Sequence, residues 1–374
     1  MTTPRTRRRT PRQAEIGPTA ARRDGRGARR RRPRRLLPPL VAAAVCALAL
    51  AACGAKQDVT SAPGVKPFSV MLDWFPNADH AALYAAIAQG DFRAVGLDVK
   101  PVVPPEASDP LKLLAAGRVD MAISYEPELL LARDQGLKLV SIGALVQRPL
   151  TSIIALPGAH VSSIADLAGK RVGTAGIPYQ AAELRTALAH AKVNPNRVQE
   201  VNVGYNLVPA MLSGKVAATL GGFWNYEAIQ LQLMHRHPLV IPVNQAGVPN
   251  YDELVLVVRE ETAHHDGEDL RAFMQALTRG ERYVREDPAA AAKLVDAANP
   301  SLEAKLELES VERTLPATVP AGSSESHPKP FGYQDAAQWE AFGRWMYEKG
   351  LLKTDPNSTG LPPFTNEFLP GEGI

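Results

Sequence analysis

The chain has 374 residues, 42 of them Lys or Arg and 39 Asp or Glu, for a formal net charge of +3. The basic surplus is local. The first 40 residues hold 14 arginines against Glu15 and Asp24, and the rest of the chain holds 28 basic and 37 acidic residues, about nine charges negative. That balance excludes the clustered Lys/Arg stripe that phosphate contacts require, and with it a nucleic-acid partner. The two cysteines, Cys46 and Cys53, exclude a disulfide framework, and the length exceeds one ordinary hydrophobic core, so two lobes are expected.

The first element is a secretory signal. A basic segment runs into an apolar stretch over residues 36–52, too short to span a bilayer comfortably and interrupted by Pro38 and Pro39. It closes on Leu50-Ala51-Ala52-Cys53-Gly54, which resembles the lipobox of bacterial lipoproteins, where cleavage precedes the cysteine and the new terminus is acylated. Residues 1–52 are thus expected as a signal peptide with a long basic n-region, and residues 53–66 as lipid anchor and tether, with Cys53 the lipidation site. The other readings of this end are a signal with a chance cysteine, or a basic arm.

From residue 67 strands and helices alternate. Strands are predicted over 68–72, 97–103, 119–123, 137–142 and 153–156, separated by helices over 79–89, 110–116 and 126–135 that end at Gly90, Gly117 and Gly136. The pattern restarts after Pro157-Gly158. A short helix at 164–167 precedes strands at 171–174, 198–203, 217–221 and 239–243, with helices over 180–191, 207–212 and 226–234. A strongly β segment at 251–258 follows, and then the chain turns helical. Asp287-Pro288 has the cap-then-proline chemistry of a helix start, and Trp339, Phe342, Gly343 and Met346 share one helical face. Residues 316–330, rich in Pro and Ser, read as irregular.

Alternation of this kind implies α/β units on parallel sheets covered on both faces. The expected architecture is two lobes. Residues 67–156 and 246–374 form the first, residues 157–245 are inserted as the second, and the hinges lie near 156–157 and 243–251. A ligand cleft belongs at the carboxyl ends of such strands. The same pattern would fit a two-domain enzyme.

Motifs for chemistry are missing. The eight histidines form no HExxH, and there is no Walker loop, GxGxxG fingerprint or GxSxG elbow. No catalytic residue, metal or cofactor is therefore nominated. His235, His237, His264 and His265 read as exposed polar positions. The loop Gly173-Thr174-Ala175-Gly176 reads as main-chain N–H groups facing a ligand. Aromatic residues are more informative. Trp74, Tyr84, Tyr125, Tyr179, Trp224 and Tyr226 fall at predicted strand ends or helix starts, where a cleft would be lined. Each has a core-packing alternative, and Tyr84 divides evenly between the two.

Leu72-Asp73-Trp74-Phe75-Pro76-Asn77-Ala78-Asp79-His80, with Leu83-Tyr84 a turn later, resembles the periplasmic binding proteins for thiamine pyrimidine precursors, of the type II solute-binding fold. The stretches Asp120–Glu126, Gly204–Ala210, Gly221–Glu227 and Phe331–Asp335 agree, so the likeness spans roughly residues 68–352. It implies an extracytoplasmic, lipid-anchored monomer that gives a formylated aminomethyl- or hydroxymethyl-pyrimidine to an ABC permease and its ATPase. Relatives on the fold carry riboflavin, sulfonates or other small organics. The implied ligand set is Trp74, Asn77, His80, Tyr84, Tyr125, Glu126, Tyr179, Trp224, Tyr226 and Glu227, with no metal and no cofactor.

An aminopyrimidine needs aromatic faces and a carboxylate or amide on its edge, worth about 1–3 kcal/mol per stacked face. Asn77 reads as a helix cap with its amide near the cleft. Glu227 is preferred to Glu126 as the edge carboxylate, the other being a helix N-terminal acid stabilised by the macrodipole. The enzymatic rival is a pyrimidine synthase of the same fold, which the resemblance associates with iron, pyridoxal phosphate and a cysteine-rich motif. A sensor domain is the third class.

Overall fold

The computed structural model of the chain describes residues 64–358 and 362–371. The expected signal peptide, Cys53 and most of the tether lie outside the described residues. In chain order the first sheet's elements are β1 (Lys66–Met71), α1 (Ala81–Ala88), α2 (Asp91–Ala94), β2 (Leu97–Val102), α3 (Pro110–Ala115), β3 (Met121–Ser124), α4 (Glu126–Asp134) and β4 (Leu139–Val146). The second set is β5 (Thr151–Ala155), β6 (Arg171–Thr174), α5 (Gln180–His190), β7 (Gln199–Asn202), α6 (Leu207–Leu212), β8 (Ala218–Phe223), α7 (Glu227–Leu233) and β9 (Leu239–Pro242). The chain then returns through β10 (Leu254–Arg259) to α8 (Glu260–His265), α9 (Gly267–Glu286), α10 (Pro288–Ala298), α11 (Ala304–Thr314) and α12 (Ala336–Glu348).

The strands form two five-stranded sheets, ordered β2-β1-β3-β10-β4 and β7-β6-β8-β5-β9. Neither is wholly parallel, which corrects the sequence expectation. β10 lies antiparallel between β3 and β4, and β5 antiparallel between β8 and β9. Both reversals follow from the chain's two passages between sheets. A strand that enters a sheet directly from the other lobe has no crossover helix to set it parallel. The passages also move a boundary. Residues 151–155, expected at the end of the first lobe, pair in the second sheet. The crossovers therefore run through 147–150 and 243–253, not 156–157.

The cores follow from composition. β5, an inner strand, is buried along its whole length, and so is β4 at its sheet's edge, where Ser141 bonds the backbone of Pro363 and Thr365, whereas the edge strand β7 is largely exposed. In α10, Asp287 accepts a hydrogen bond from the Ala290 N–H at 2.9 Å while Pro288 opens the first turn. Asp335 caps α12 in the same way through Gln338, and Trp339, Phe342, Gly343 and Met346 form its buried face. Packing of α9 on α1 depends on Gly280, where a Cβ would come within 2.1 Å of the Ala82 carbonyl oxygen. No helix among the described residues is long and apolar enough to cross a membrane.

Candidate functional site

The site begins where β1 runs out. Leu72 and Asp73 continue the strand's path, and a single 3-10 turn, Ala78–His80, is closed by a capping box. Asn77 Oδ1 accepts from the Asp79 N–H at 2.9 Å, and the Asn77 N–H donates to His80 Nδ1 at 3.3 Å. With Nδ1 an acceptor, the neutral ring carries its hydrogen on Nε2, which lies 2.8 Å from Asp73 Oδ1. The Tyr125 hydroxyl donates to Asp73 Oδ2 at 2.8 Å. Both oxygens of this buried carboxylate are thus held by buried donors.

Facing that segment, the second lobe offers the end of β6, the start of α5 and the turn from β8 into α7. A narrow cavity lies between them. From the first lobe Asp73, Trp74, Asn77, Asp79 and Tyr125 line it, and from the second Ala175, Ile177, Tyr179, Gln180, Gly221, Phe223, Tyr226 and Glu227. Local geometry fixes several of these. Gly221 has φ +109°, and a Cβ there would lie 2.3 Å from Gln180 Nε2. Gln180 Oε1 accepts the Ala175 N–H at 2.8 Å, and Glu227 Oε2 accepts the Phe223 N–H at 2.7 Å.

Six of the ten residues nominated from sequence line this cavity: Trp74, Asn77, Tyr125, Tyr179, Tyr226 and Glu227. Four do not. His80 stands behind Asp73 and orients it. Tyr84 is half-buried on α1 against the first lobe's core. Glu126 turns away from the cleft, its Oε2 accepting the Asp252 N–H at 2.7 Å in the return crossover. Trp224 donates its indole N–H to the Pro149 carbonyl at 2.9 Å, bracing the other crossover. The 173–176 loop brings Ala175 to the wall, with the Ala175 N–H taken by Gln180. Sequence reasoning missed Asp73, Asp79 and Gln180. Asp73 and Asp79 lay inside the quoted 72–80 stretch, and Gln180 adjoins Tyr179.

Electrostatically the wall is one-sided. It carries three carboxylates, Asp73, Asp79 and Glu227, and no Lys, Arg or His. Burial pushes Asp79 up to about 6 and Glu227 up to about 7. Burial also holds the hydroxyls of Tyr125, Tyr179 and Tyr226 above the usual phenol range, so they remain neutral donors. The aromatic rings come in contact pairs. Trp74 meets Tyr205 edge-on at 4.3 Å and 81°, and Tyr125 meets Tyr179 at 5.6 Å and 54°. The wall thus combines aromatic faces and carboxylates and offers an anion no cationic side chain.

The sequence profile described as NMT1/THI5 like matches residues 77–291. The chain is 36% identical over 304 residues to the formylaminopyrimidine-binding protein of Halalkalibacterium halodurans, covering 80% of this chain and 90% of that one. It is 25% identical over 305 residues to a 4-amino-5-hydroxymethyl-2-methylpyrimidine phosphate synthase of Legionella pneumophila, covering 81% and 92%. In fold it is similar to the alkanesulfonate-binding protein SsuA of Xanthomonas axonopodis pv. citri, with a TM-score of 0.58 at 18% identity over 79% of this chain and 96% of that one.

Proposed function

The chain belongs to the NMT1/THI5-like family and has the type II periplasmic-binding fold, and we propose that it captures a thiamine pyrimidine precursor, a formylated aminomethyl- or hydroxymethyl-pyrimidine, in the cleft between its two sheets. The observation that carries this reading is the cavity wall itself. Aromatic faces from Trp74, Tyr125, Tyr179 and Tyr226 surround carboxylates from both lobes. An exocyclic amine and ring nitrogens present the donors and acceptors such a wall requires.

The same wall disfavours a sulfonate. An anion beside Asp73, Asp79 and Glu227, with no cation among the lining residues, would meet repulsion in a low dielectric. The synthase reading fits poorly too. Pyridoxal phosphate chemistry calls for a lysine, and none lines the cavity. The cysteine-rich motif that accompanies that reading is missing, since Cys46 and Cys53 are the chain's two cysteines. We therefore assign binding and no catalytic residue.

The wider setting follows the same reading: an extracytoplasmic monomer, acylated at Cys53, that delivers the pyrimidine to an ABC permease and its ATPase. Calorimetric titration of the purified protein with formylaminopyrimidine, riboflavin and an alkanesulfonate tests it. Submicromolar binding of the pyrimidine alone is expected. Tighter binding of either competitor would overturn the ligand assignment.

A further inference from the structure

Of the three carboxylates on the cavity wall, Asp79 is the one with a fully buried oxygen that meets no donor. Its Oδ1 accepts from Asn225 Nδ2 at 2.6 Å and from Thr314 Oγ1 at 3.2 Å, while its Oδ2, fully buried, meets no donor among the described residues. The charged and titratable groups around it are nearly all acidic. Asp73 and His80 come from its own segment, Tyr226 and Glu227 from the start of α7, and Glu307 from α11. Asp296 on α10 adds a further negative neighbour to Glu307. His80 turns its Nε2 to Asp73 instead. Glu307 is occupied on one side by the Tyr226 hydroxyl at 2.8 Å. Asn225 and Tyr226 belong to the second lobe, so they reach Asp79 and Glu307 across the cleft. Closing the lobes therefore gathers like charges away from water, a cost that one positive charge at Asp79 Oδ2 would relieve. That burial already lifts the Asp79 carboxyl to about 6 supports the same conclusion.

We propose that the cleft takes up a proton from solvent together with its ligand, and that this proton lies between Asp79 Oδ2 and a nitrogen of a weakly basic heteroaromatic amine. The inference rests on the pyrimidine reading above and deepens it: the ligand class is a ring that can accept a proton, with Asp79 as its counter-ion. No covalent bond between heavy atoms changes. A neutral ligand and one proton leave the solvent, and an N–H···O bond to the carboxylate forms.

The test is calorimetric titration of the purified protein with formylaminopyrimidine at pH 8, in phosphate and in Tris, whose ionisation enthalpies differ widely. The dependence of the observed heat on buffer gives the protons bound. The wild type should take up close to ~1 proton, and its affinity should fall by up to about tenfold per pH unit as the solution becomes more alkaline. Asp79→Asn should lose most of the uptake, and Glu307→Gln should keep it. Absence of buffer dependence in the wild type overturns the proposal even if neither variant folds. Equal uptake in Asp79→Asn, or loss confined to Glu307→Gln, overturns the assignment to Asp79. Failure of the pyrimidine to bind at all would sink the ligand reading and this inference with it, a result distinct from binding without proton uptake.

Discussion

Thr151 gives Glu253 two hydrogen bonds, from its backbone N–H to Oε2 at 2.8 Å and from its hydroxyl to Oε1 at 2.9 Å. The two residues stand on the two chain passages between the sheets, just where β5 begins and just before β10. The Leu150 N–H adds a third bond to Oε2 at 2.6 Å, and the Tyr251 hydroxyl a fourth at 3.2 Å. One buried carboxylate thus ties the outgoing and returning crossovers together. In Glu253→Ala, buried backbone donors lose their acceptor at about 1–3 kcal/mol each. Urea unfolding should show a loss of roughly 3 kcal/mol for that variant. Glu253→Gln, whose amide oxygen still faces the two N–H groups, should lose much less. Equal losses would mean that the charge, and not the acceptor geometry, holds the crossovers.

Buried acids are unusually numerous, and their effect on stability has a definite sign. Desolvation by burial lifts Asp79 to about 6, Glu128, Glu227 and Glu253 to about 7, and Glu307 to about 8, from ordinary values near 4. Each folded-state pKa is raised above its unfolded value, so the native state binds more protons than the unfolded state between about pH 4 and pH 8. The contribution is fully present below the unfolded values and is lost as pH rises through 6–8. Stability should therefore fall by up to about 1.4 kcal/mol per pH unit for each proton held. Thermal melts at pH 5.5 and pH 8 should show the lower midpoint at pH 8. A flat profile, or a higher midpoint at pH 8, would contradict the burial of these groups.

Most elements were legible because their signals are local. Glycines end the early helices, Asp287-Pro288 starts another, and Trp339, Phe342 and Met346 repeat at helical spacing. Strand direction was not, since apolar runs do not say which way β5 and β10 point in their sheets. The site shows the same division. Tyr125-Glu126 and Tyr226-Glu227 look alike in sequence, each pair standing at a helix start after a strand. Glu227 reaches the cleft, but Glu126 meets Asp252, and nothing near residue 126 announces that the return crossover will pass there. Asp79 was hidden for a similar reason. It reads as an ordinary first-turn acid, and its partners Asn225 and Thr314 come from the second lobe and from α11.

The N-terminal reading makes an independent prediction. Leu50-Ala51-Ala52-Cys53 after an apolar run should direct acylation of Cys53. Expressed in a bacterium with a lipoprotein pathway, the wild type should incorporate labelled fatty acid and partition into detergent. Cys53→Ala should do neither. Equal labelling and membrane recovery of the mutant would remove the anchor from the proposal while leaving the cleft untouched.

The last prediction separates stacking from charge at the ligand. Trp74 is buried, lines the cavity and packs edge-on against Tyr205, whose hydroxyl donates to the Pro104 carbonyl of the other lobe at 3.2 Å. Trp74→Ala therefore removes a face for the ligand and also a contact that holds the lobes together. Its binding loss should be about 1–3 kcal/mol, at least about tenfold in Kd, with a measurable drop in ligand-free stability. Glu227 differs. Its Oε2 accepts the Phe223 N–H, a bond that the amide oxygen of Glu227→Gln can keep, so the turn into α7 should survive the change. What the variant loses is a carboxylate on the cavity wall, which on the proposed reading is worth roughly 1.5–3 kcal/mol as a charge-assisted bond to the ligand. Formylaminopyrimidine affinity should fall about tenfold or more while the ligand-free melting temperature rises slightly or holds, because a carboxyl lifted to about 7 by burial costs stability at higher pH. Calorimetry and melting curves at pH 8 read both quantities for both variants. Unchanged affinity in Glu227→Gln would leave Asp79 and Asp73 as the carboxylates that meet the ligand.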